Sequence, residues 1–354
     1  MRLLVTGATG YIGGRLIPQL LHRGHEVRVL VRHPERLSER SWFDRVEVVA
    51  GDAADPDALA VAMAGVEGAY YLMHSLSAGH GFEEQERHMA TVFGQQAARA
   101  GVHRIVYLGG MVPDVPASKL SPHLRSRAEV GRTLRASGVP TVELRAGVII
   151  GSGSASFEML RYLTERLPVM ITPRWVSTRT QPIAVRDVLH YLIGAMEAPG
   201  EINRAFDIGG PDITTYAGMM HGFASVAGLP RRVLFPVNLL SPGLSSHWVG
   251  LVTPVPSGIA RPLVDSLKVE VVARNHDIAD VVPDPPAGLL PFREAVRLAI
   301  KRVQDADVAT RWSSASVVGA PSDPLPEDPD WAGGTLYTDV REQVVEADIT
   351  RVWD

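Results

Sequence analysis

The chain has 354 residues, 45% of them hydrophobic and 21% charged, which is ordinary for a protein that buries a large core as one α/β domain with a lobe or as two domains. A formal net charge of -4 gives no bulk electrostatic reason to expect nucleic acid or an anionic membrane surface as partner. The absence of cysteine excludes disulfides, thiolate nucleophiles, iron–sulfur clusters and cysteine zinc sites.

Leu3–Thr6 reads as a first strand, followed by a glycine-rich turn and a helix to about Arg23, in which Pro18 should bend the helix or remove one hydrogen bond. Strands are expected at Val27–Val31, Val46–Ala50, Ala69–Met73, Arg104–Gly109 and Thr141–Ala146. Between them, helical patterns cover Pro56–Ala64, Phe82–Ala100 and Arg125–Ser137. This alternation predicts an α/β fold: a Rossmann-type, doubly wound parallel sheet over residues 1–150. Past Gly147 the alternation loosens, and residues 151–300 read as an interleaved C-terminal substrate lobe that contributes further sheet elements. Helices are expected at Phe157–Leu167, Asp187–Ala198, Tyr216–Ala227 and Phe292–Asp305, and a strand at Arg204–Ile208. The proline- and glycine-rich stretch from Leu229 to Pro262 carries Leu239, Leu240, Trp248, Val249, Leu251, Val252 and Ile259, which either line a pocket or pack an irregular subdomain. Residues 301–354 form a helix end and an extended tail rich in Ser, Pro, Gly and Asp. No run of about 18 apolar residues occurs, so no integral membrane segment is expected. The apolar start is too short for a signal peptide, and the expected compartment is the cytoplasm.

Thr6-Gly7-Ala8-Thr9-Gly10-Tyr11-Ile12-Gly13 sits where a strand meets a helix. Gly7 permits the tight turn, Gly10 lets backbone approach a pyrophosphate, and Gly13 allows close helix–strand contact. The amides at the helix mouth, with Thr9, Tyr11 and Ile12 between the glycines, suit phosphate oxygens. The turn therefore points to a dinucleotide. No acid stands at the end of the second strand to grip a ribose 2′-hydroxyl; Arg32 does, with Arg36 after it. A guanidinium there binds a 2′-phosphate, which favours NADP(H) over NAD(H), unless Arg32 is a solvated surface residue. Asp52, beside Ala53 after the third strand, either accepts from the adenine amino group or closes a turn. Leu72, Met73 and His74 end the fourth strand and should face the ribose or nicotinamide.

With these residues the chain resembles the atypical short-chain dehydrogenase/reductases, above all their NmrA-like and complex I accessory-subunit-like branch. The turn itself, Val27–Arg32, Gly51-Asp52, Leu144–Gly151, Gln181–Val188 and Asp207–Pro211 carry the resemblance, which covers roughly residues 1–230. Active members of the family have a serine ending the fifth strand and a Tyr-x-x-x-Lys on the next helix. Here the strand ends Tyr107-Leu108-Gly109-Gly110, and His123 and Arg127 stand at the positions of the tyrosine and lysine. Two readings follow. In one, the chain is an NADP(H)-dependent oxidoreductase acting on a small apolar carbonyl or quinone-like substrate. His123 then protonates the substrate oxygen or steadies its charge, Arg127 positions the ribose, and His74 is a second candidate. In the other, it is a non-catalytic, cofactor-binding redox sensor or scaffold, as NmrA-like relatives are. A sugar-nucleotide epimerase is disfavoured by the missing Tyr and Lys. The twelve histidines form no H-E-x-x-H spacing, so no metal is expected, and no Gly-x-Ser-x-Gly elbow occurs. The resemblance further implies a homodimer. It also implies a tail like the connector that precedes a START-like domain in longer relatives, so that residues after about 310 pack poorly or lean on a neighbour.

Overall fold

A computed structural model describes residues 1–38, 40–73, 81–113, 115–116, 120–237, 264–304 and 310. Its centre is a sheet of seven parallel strands: β1 (Arg2–Thr6), β2 (Glu26–Val31), β3 (Glu47–Ala50), β4 (Gly68–Tyr71), β5 (Arg104–Gly110), β6 (Thr141–Ala146) and, by chain order, β11 (Arg204–Ile208). They lie in the order β11-β6-β5-β4-β1-β2-β3, so the order reverses between β1 and β4 and opens a crevice at their carboxyl ends.

Side chains alternate across the sheet with a period of two. Leu3, Val5, Val29, Tyr70 and Val106 face one core, which α1 (Gly13–His22) and α6 (Val185–Glu197) cover with Leu16, Ile17, Leu20, Val188 and Leu192. Leu4, Leu30, Ala69, Tyr71 and Tyr107 face the other. That side is covered by α2 (Pro56–Met63), α3 (Phe82–Arg99) and α4 (Pro122–Arg135). Two buried arginines close helix ends: Arg28 donates to the carbonyls of Ala62 (2.9 Å) and Ala64 (2.7 Å). Arg104 donates likewise to Ala195 (3.0 Å), Met196 (3.0 Å) and Ala198 (2.6 Å).

The remaining elements build a lobe over the carboxyl edge. α5 (Ala155–Arg166), α7 (Tyr216–Val226) and α8 (Phe292–Gln304) share a third core through Phe157, Leu160, Met219, Phe223, Phe292 and Val296. Three short pairs shape it: β7 (Ile149–Ile150) with β10 (Ile183–Ala184), β9 (Arg179–Thr180) with β12 (Thr214–Thr215), and β8 (Val169–Pro173) with β13 (Val233–Val237).

As expected, α1 gives up one hydrogen bond at Pro18, which has no N–H, and the proline ring lies on the exposed side of the helix. Other elements depart from expectation. α4 starts three residues earlier than its apolar spacing indicates, because Ser121 caps it and Pro122 occupies its first turn. β8 and β13 were not expected; β13 contains Pro236, which a ladder tolerates only at an edge. The apolar residues from Leu239 to Ile259, His74, and the tail from Arg311 onward lie outside the described residues. Thr310 is buried against the start of α1, where its hydroxyl donates to the carbonyl of Tyr11 at 2.9 Å. Among the described residues no helix is long and apolar enough to cross a membrane.

Candidate dinucleotide and substrate cavity

The crevice at the strand ends continues under the lobe as one cavity of about 440 Å3. At its deep end Gly7 has φ +77°, a left-handed conformation that a side chain resists, and a Cβ there would lie 2.7 Å from the carbonyl oxygen of Leu72. A Cβ on Gly13 would lie 2.2 Å from the carbonyl oxygen of Gly7. The turn is closed by Gly10 N–H donating to that same carbonyl at 3.0 Å. Ile12 caps α1 without a side-chain hydrogen bond, and no acid stands in the first turn. The amides of Tyr11 and Ile12 have no acceptor among the described residues. This mouth is a cradle of free donors and partial positive charge, and a diphosphate fits it.

Every expected dinucleotide contact within the described residues lies on the wall of this cavity: Gly7, Thr9, Gly10, Tyr11, Ile12, Gly13, Arg32, Asp52, Ala53, Leu72 and Met73. Arg32 is exposed and has no ion-pair partner among the described residues. Glu35, three residues on in the chain, is turned to His33, Oε1 to Nδ1 at 3.1 Å. Asp52 does close a turn, accepting from the Ala54 amide at 2.9 Å, while also facing the cavity. The helix-capping task belongs instead to Asp55, which accepts from the Asp57 amide at 3.0 Å. The Tyr11 phenol is buried without a partner, and a Cβ on Gly151 would come within 2.4 Å of its oxygen. Burial, the largest influence, holds that phenol protonated by raising its pKa.

His123 and Arg127 lie one turn apart on α4 and both face the cavity. His123 is half-buried and lines the cavity; loss of hydration, reinforced by the Arg127 charge, pulls its pKa down to about 3. The ring is therefore neutral near pH 7. Burial of the ring and the cation beside it set this state. Arg127 is buried, its Nη1 donating to the Leu108 carbonyl at 3.4 Å and its Nε left without an acceptor. Gly110, close to where the family serine would stand, is overlain by Arg127: a Cβ there would lie 3.7 Å from Arg127 Cγ. Tyr107 is buried within β5 and donates to the Arg127 carbonyl at 3.3 Å, so it does not replace the missing tyrosine.

The lobe end of the cavity includes Met159, Thr180, Tyr216, Leu267 and Val271, none of which the sequence reading singled out. Thr215 before Tyr216 carries a helix-cap signal, its Oγ1 accepting from the Gly218 amide at 3.0 Å, but nothing local announces a cavity. The motifs at 181–188 and 207–211 are scaffolding. Gln181 donates to the Gly210 carbonyl at 2.7 Å and accepts from the Ala273 amide at 2.9 Å. Asp187 accepts from the Leu290 amide at 2.7 Å. Asp207 pairs with Arg274 at 3.0 Å.

Residues 7–161 match the protein-family model described as NAD(P)H-binding. The chain carries an NAD(P)H-binding domain. Among the chain's relatives are proteins named as reductases and as 3-beta-hydroxysteroid dehydrogenases. A ceramide reductase of Caulobacter vibrioides is 29% identical over 275 residues, covering 73% of this chain and 81% of that protein. Sterol demethylase protein B of Methylococcus capsulatus is 39% identical over 114 residues, 30% of this chain, and the match spans only 34% of that protein's length. Among solved structures, a triphenylmethane reductase of Citrobacter sp. superposes with a TM-score of 0.67 at 23% identity, over 85% of this chain and all of that one. The same reductase has been solved with NADP(H). That likeness shows that the NAD(P)H-binding domain and its lobe share one fold with this protein.

Proposed function

We propose that the chain is an NADP(H)-dependent oxidoreductase that reduces a small apolar carbonyl or quinone-like compound. One observation carries the reading: a single cavity joins the glycine turn and Arg32 to a mostly apolar lobe. The amides at the mouth of α1 hold the diphosphate, and the Arg32 guanidinium takes the 2′-phosphate that separates NADP(H) from NAD(H). Leu72 and Met73 flank the ribose and nicotinamide. Arg127, with a free buried N–H, holds the ribose hydroxyls, and Asp52 with Ala53 borders the adenine. A reduced nicotinamide held by these residues would supply hydride-transfer chemistry. His123, kept neutral, donates its N–H to the substrate oxygen and steadies the charge that develops, while water supplies the proton. The reductase names of the Caulobacter and Citrobacter relatives, and NADP(H) in the latter, agree with this reading.

A second reading is favoured by the glycines at the end of β5 and by the absence of a Tyr/Lys pair: a cofactor-binding regulator without turnover. NADPH oxidation with a panel of aldehydes and quinones separates the two. The oxidoreductase reading expects turnover with at least one apolar acceptor. It also expects a drop of about 10- to 100-fold in kcat for His123→Ala, with NADPH affinity kept. Tight NADPH binding with no turnover on any acceptor would establish the regulator.

A further inference from the structure

Eight large apolar side chains among the described residues are exposed, and four of them stand together. They are Val169 and Ile171 on β8 and Val233 and Phe235 on β13, each between 45% and 60% exposed. Alternation puts them on one face, since Met170 and Leu234 between them turn into the lobe core. The register sets Val169 opposite Val233 and Ile171 opposite Phe235, so the four form one continuous patch. Single exposed apolar side chains are ordinary, but a cross-paired group of four marks a surface that something covers.

The charge around this face is one-sided. Neither strand contains a charged residue. The sequence has four arginines and no acid between Glu165 and Asp187, and three arginines and no acid between Asp212 and Asp265. Some of these are used elsewhere: Arg179 pairs with Glu270, Arg186 with Asp187, and buried Arg232 donates from Nε to the Thr164 carbonyl at 2.7 Å. Arg166 and Arg231 are exposed, and because the strands are parallel both precede the patch at the same end. The acid nearest to either strand in sequence is Glu165, so two bases stand there against one carboxylate. The whole chain carries -4, so this excess of positive charge is local.

We infer that the outer face of β8 and β13 rests on the surface of a phospholipid bilayer that carries anionic lipid. Val169, Ile171, Val233 and Phe235 enter the boundary of the acyl chains, and Arg166 and Arg231 meet the headgroups. The inference goes beyond the reductase reading and does not depend on it. Lipid fits this face better than a second copy does. Four side chains present far less than the roughly 800 Å2 that each partner buries in a standard protein interface, whereas shallow insertion of a few apolar groups beside basic ones suffices for reversible attachment. Two copies would also bring two positive margins to one interface. Met170 and Leu234 share their core with Met159 and Leu267 of the cavity wall, so attachment holds the lobe toward the bilayer.

The absence of cysteine allows a single reporter to be placed on the full chain. Ile171→Cys and, on α2, the equally exposed control Val61→Cys are each labelled with a nitrobenzoxadiazole dye, which brightens on leaving water. Each is titrated with vesicles of about three parts phosphatidylcholine to one part phosphatidylglycerol. The dye at 171 should brighten severalfold and the dye at 61 should not change. Sedimentation of the unlabelled chain with the same vesicles should show binding weakened about tenfold by Phe235→Ser and about fivefold by Arg231→Gln, and weakened again when phosphatidylglycerol is left out. Phe235→Ser should keep the wild-type thermal midpoint, since the ring it removes is solvated. A dye at 171 that brightens with protein concentration in the absence of lipid would assign the face to a second copy. One that is already bright in the free chain at every dilution would mean that the chain covers the face itself. Either result overturns the inference, as does no binding to the mixed vesicles, or binding that neither substitution alters.

Discussion

At the scale of single residues, the cavity sets the chemistry of His123. Its neutral ring follows from removing water and placing Arg127 one helical turn away. The folded-state pKa, about 3, lies below the ordinary 6.5, so protons bind the unfolded chain more readily. This histidine therefore costs no stability above pH 6.5, and its neutrality becomes destabilising as the pH falls through 6.5 toward 3. Urea unfolding of wild type and His123→Gln should thus show the variant gaining on wild type as the pH is lowered from 7 to 4; parallel curves would mean that the ring is hydrated and titrates normally. The positions of His123 and Arg127 were legible from their spacing after β5. The charge state was not, because desolvation depends on α4 and the lobe meeting over the cavity. Tyr216 and Thr180 escaped notice for a related reason: only the β9–β12 pairing brings them to the wall.

Among elements, the turn between β1 and α1 is the most constrained. Gly13 leaves no room for a Cβ at 2.2 Å from the Gly7 carbonyl oxygen, whereas a Cβ on Gly10 would find that oxygen at 3.2 Å. Gly13→Ala should therefore destabilise the protein by about 1–3 kcal/mol. Gly10→Ala should stay within about 1 kcal/mol of wild type yet weaken dinucleotide binding, since Gly10 lines the cavity where the diphosphate is proposed to sit. Chemical denaturation paired with NADPH titration distinguishes the two effects. The strands of the main sheet could be read because their apolar residues alternate or run together between turn signals, as in Leu3-Leu4-Val5 and Val29-Leu30-Val31. The short lobe strands could not, since two-residue pairs such as β7 with β10 exist only through tertiary contact. The start of α4 was written in Ser121-Pro122, a cap followed by a first-turn proline that outweighs the apolar spacing beginning at Arg125.

Across the whole molecule, the lobe and the chain beyond α8 return to the first helix. Arg15 donates to the Ser152 carbonyl at 2.8 Å and to that of Thr310 at 3.4 Å. The Thr310 methyl packs where a Cβ on Gly14 would lie, 2.7 Å away. Thr310→Val keeps this packing but leaves the Tyr11 carbonyl unpaired, and thermal unfolding should show a loss of about 1 kcal/mol. A midpoint equal to wild type would mean that the contact contributes nothing. This return was invisible to sequence pattern, which treats residues near 310 as the start of a tail.

The most direct measurement is calorimetric titration of the intact chain, and then of Arg32→Ala, with NADPH and with NADH. In the unaltered chain NADPH should bind at least about tenfold more tightly than NADH, and the substitution should erase that difference by weakening NADPH alone. Equal affinities in the unaltered chain, or no heat of binding from either dinucleotide, would contradict the assignment of Arg32 and of the helix mouth beside it.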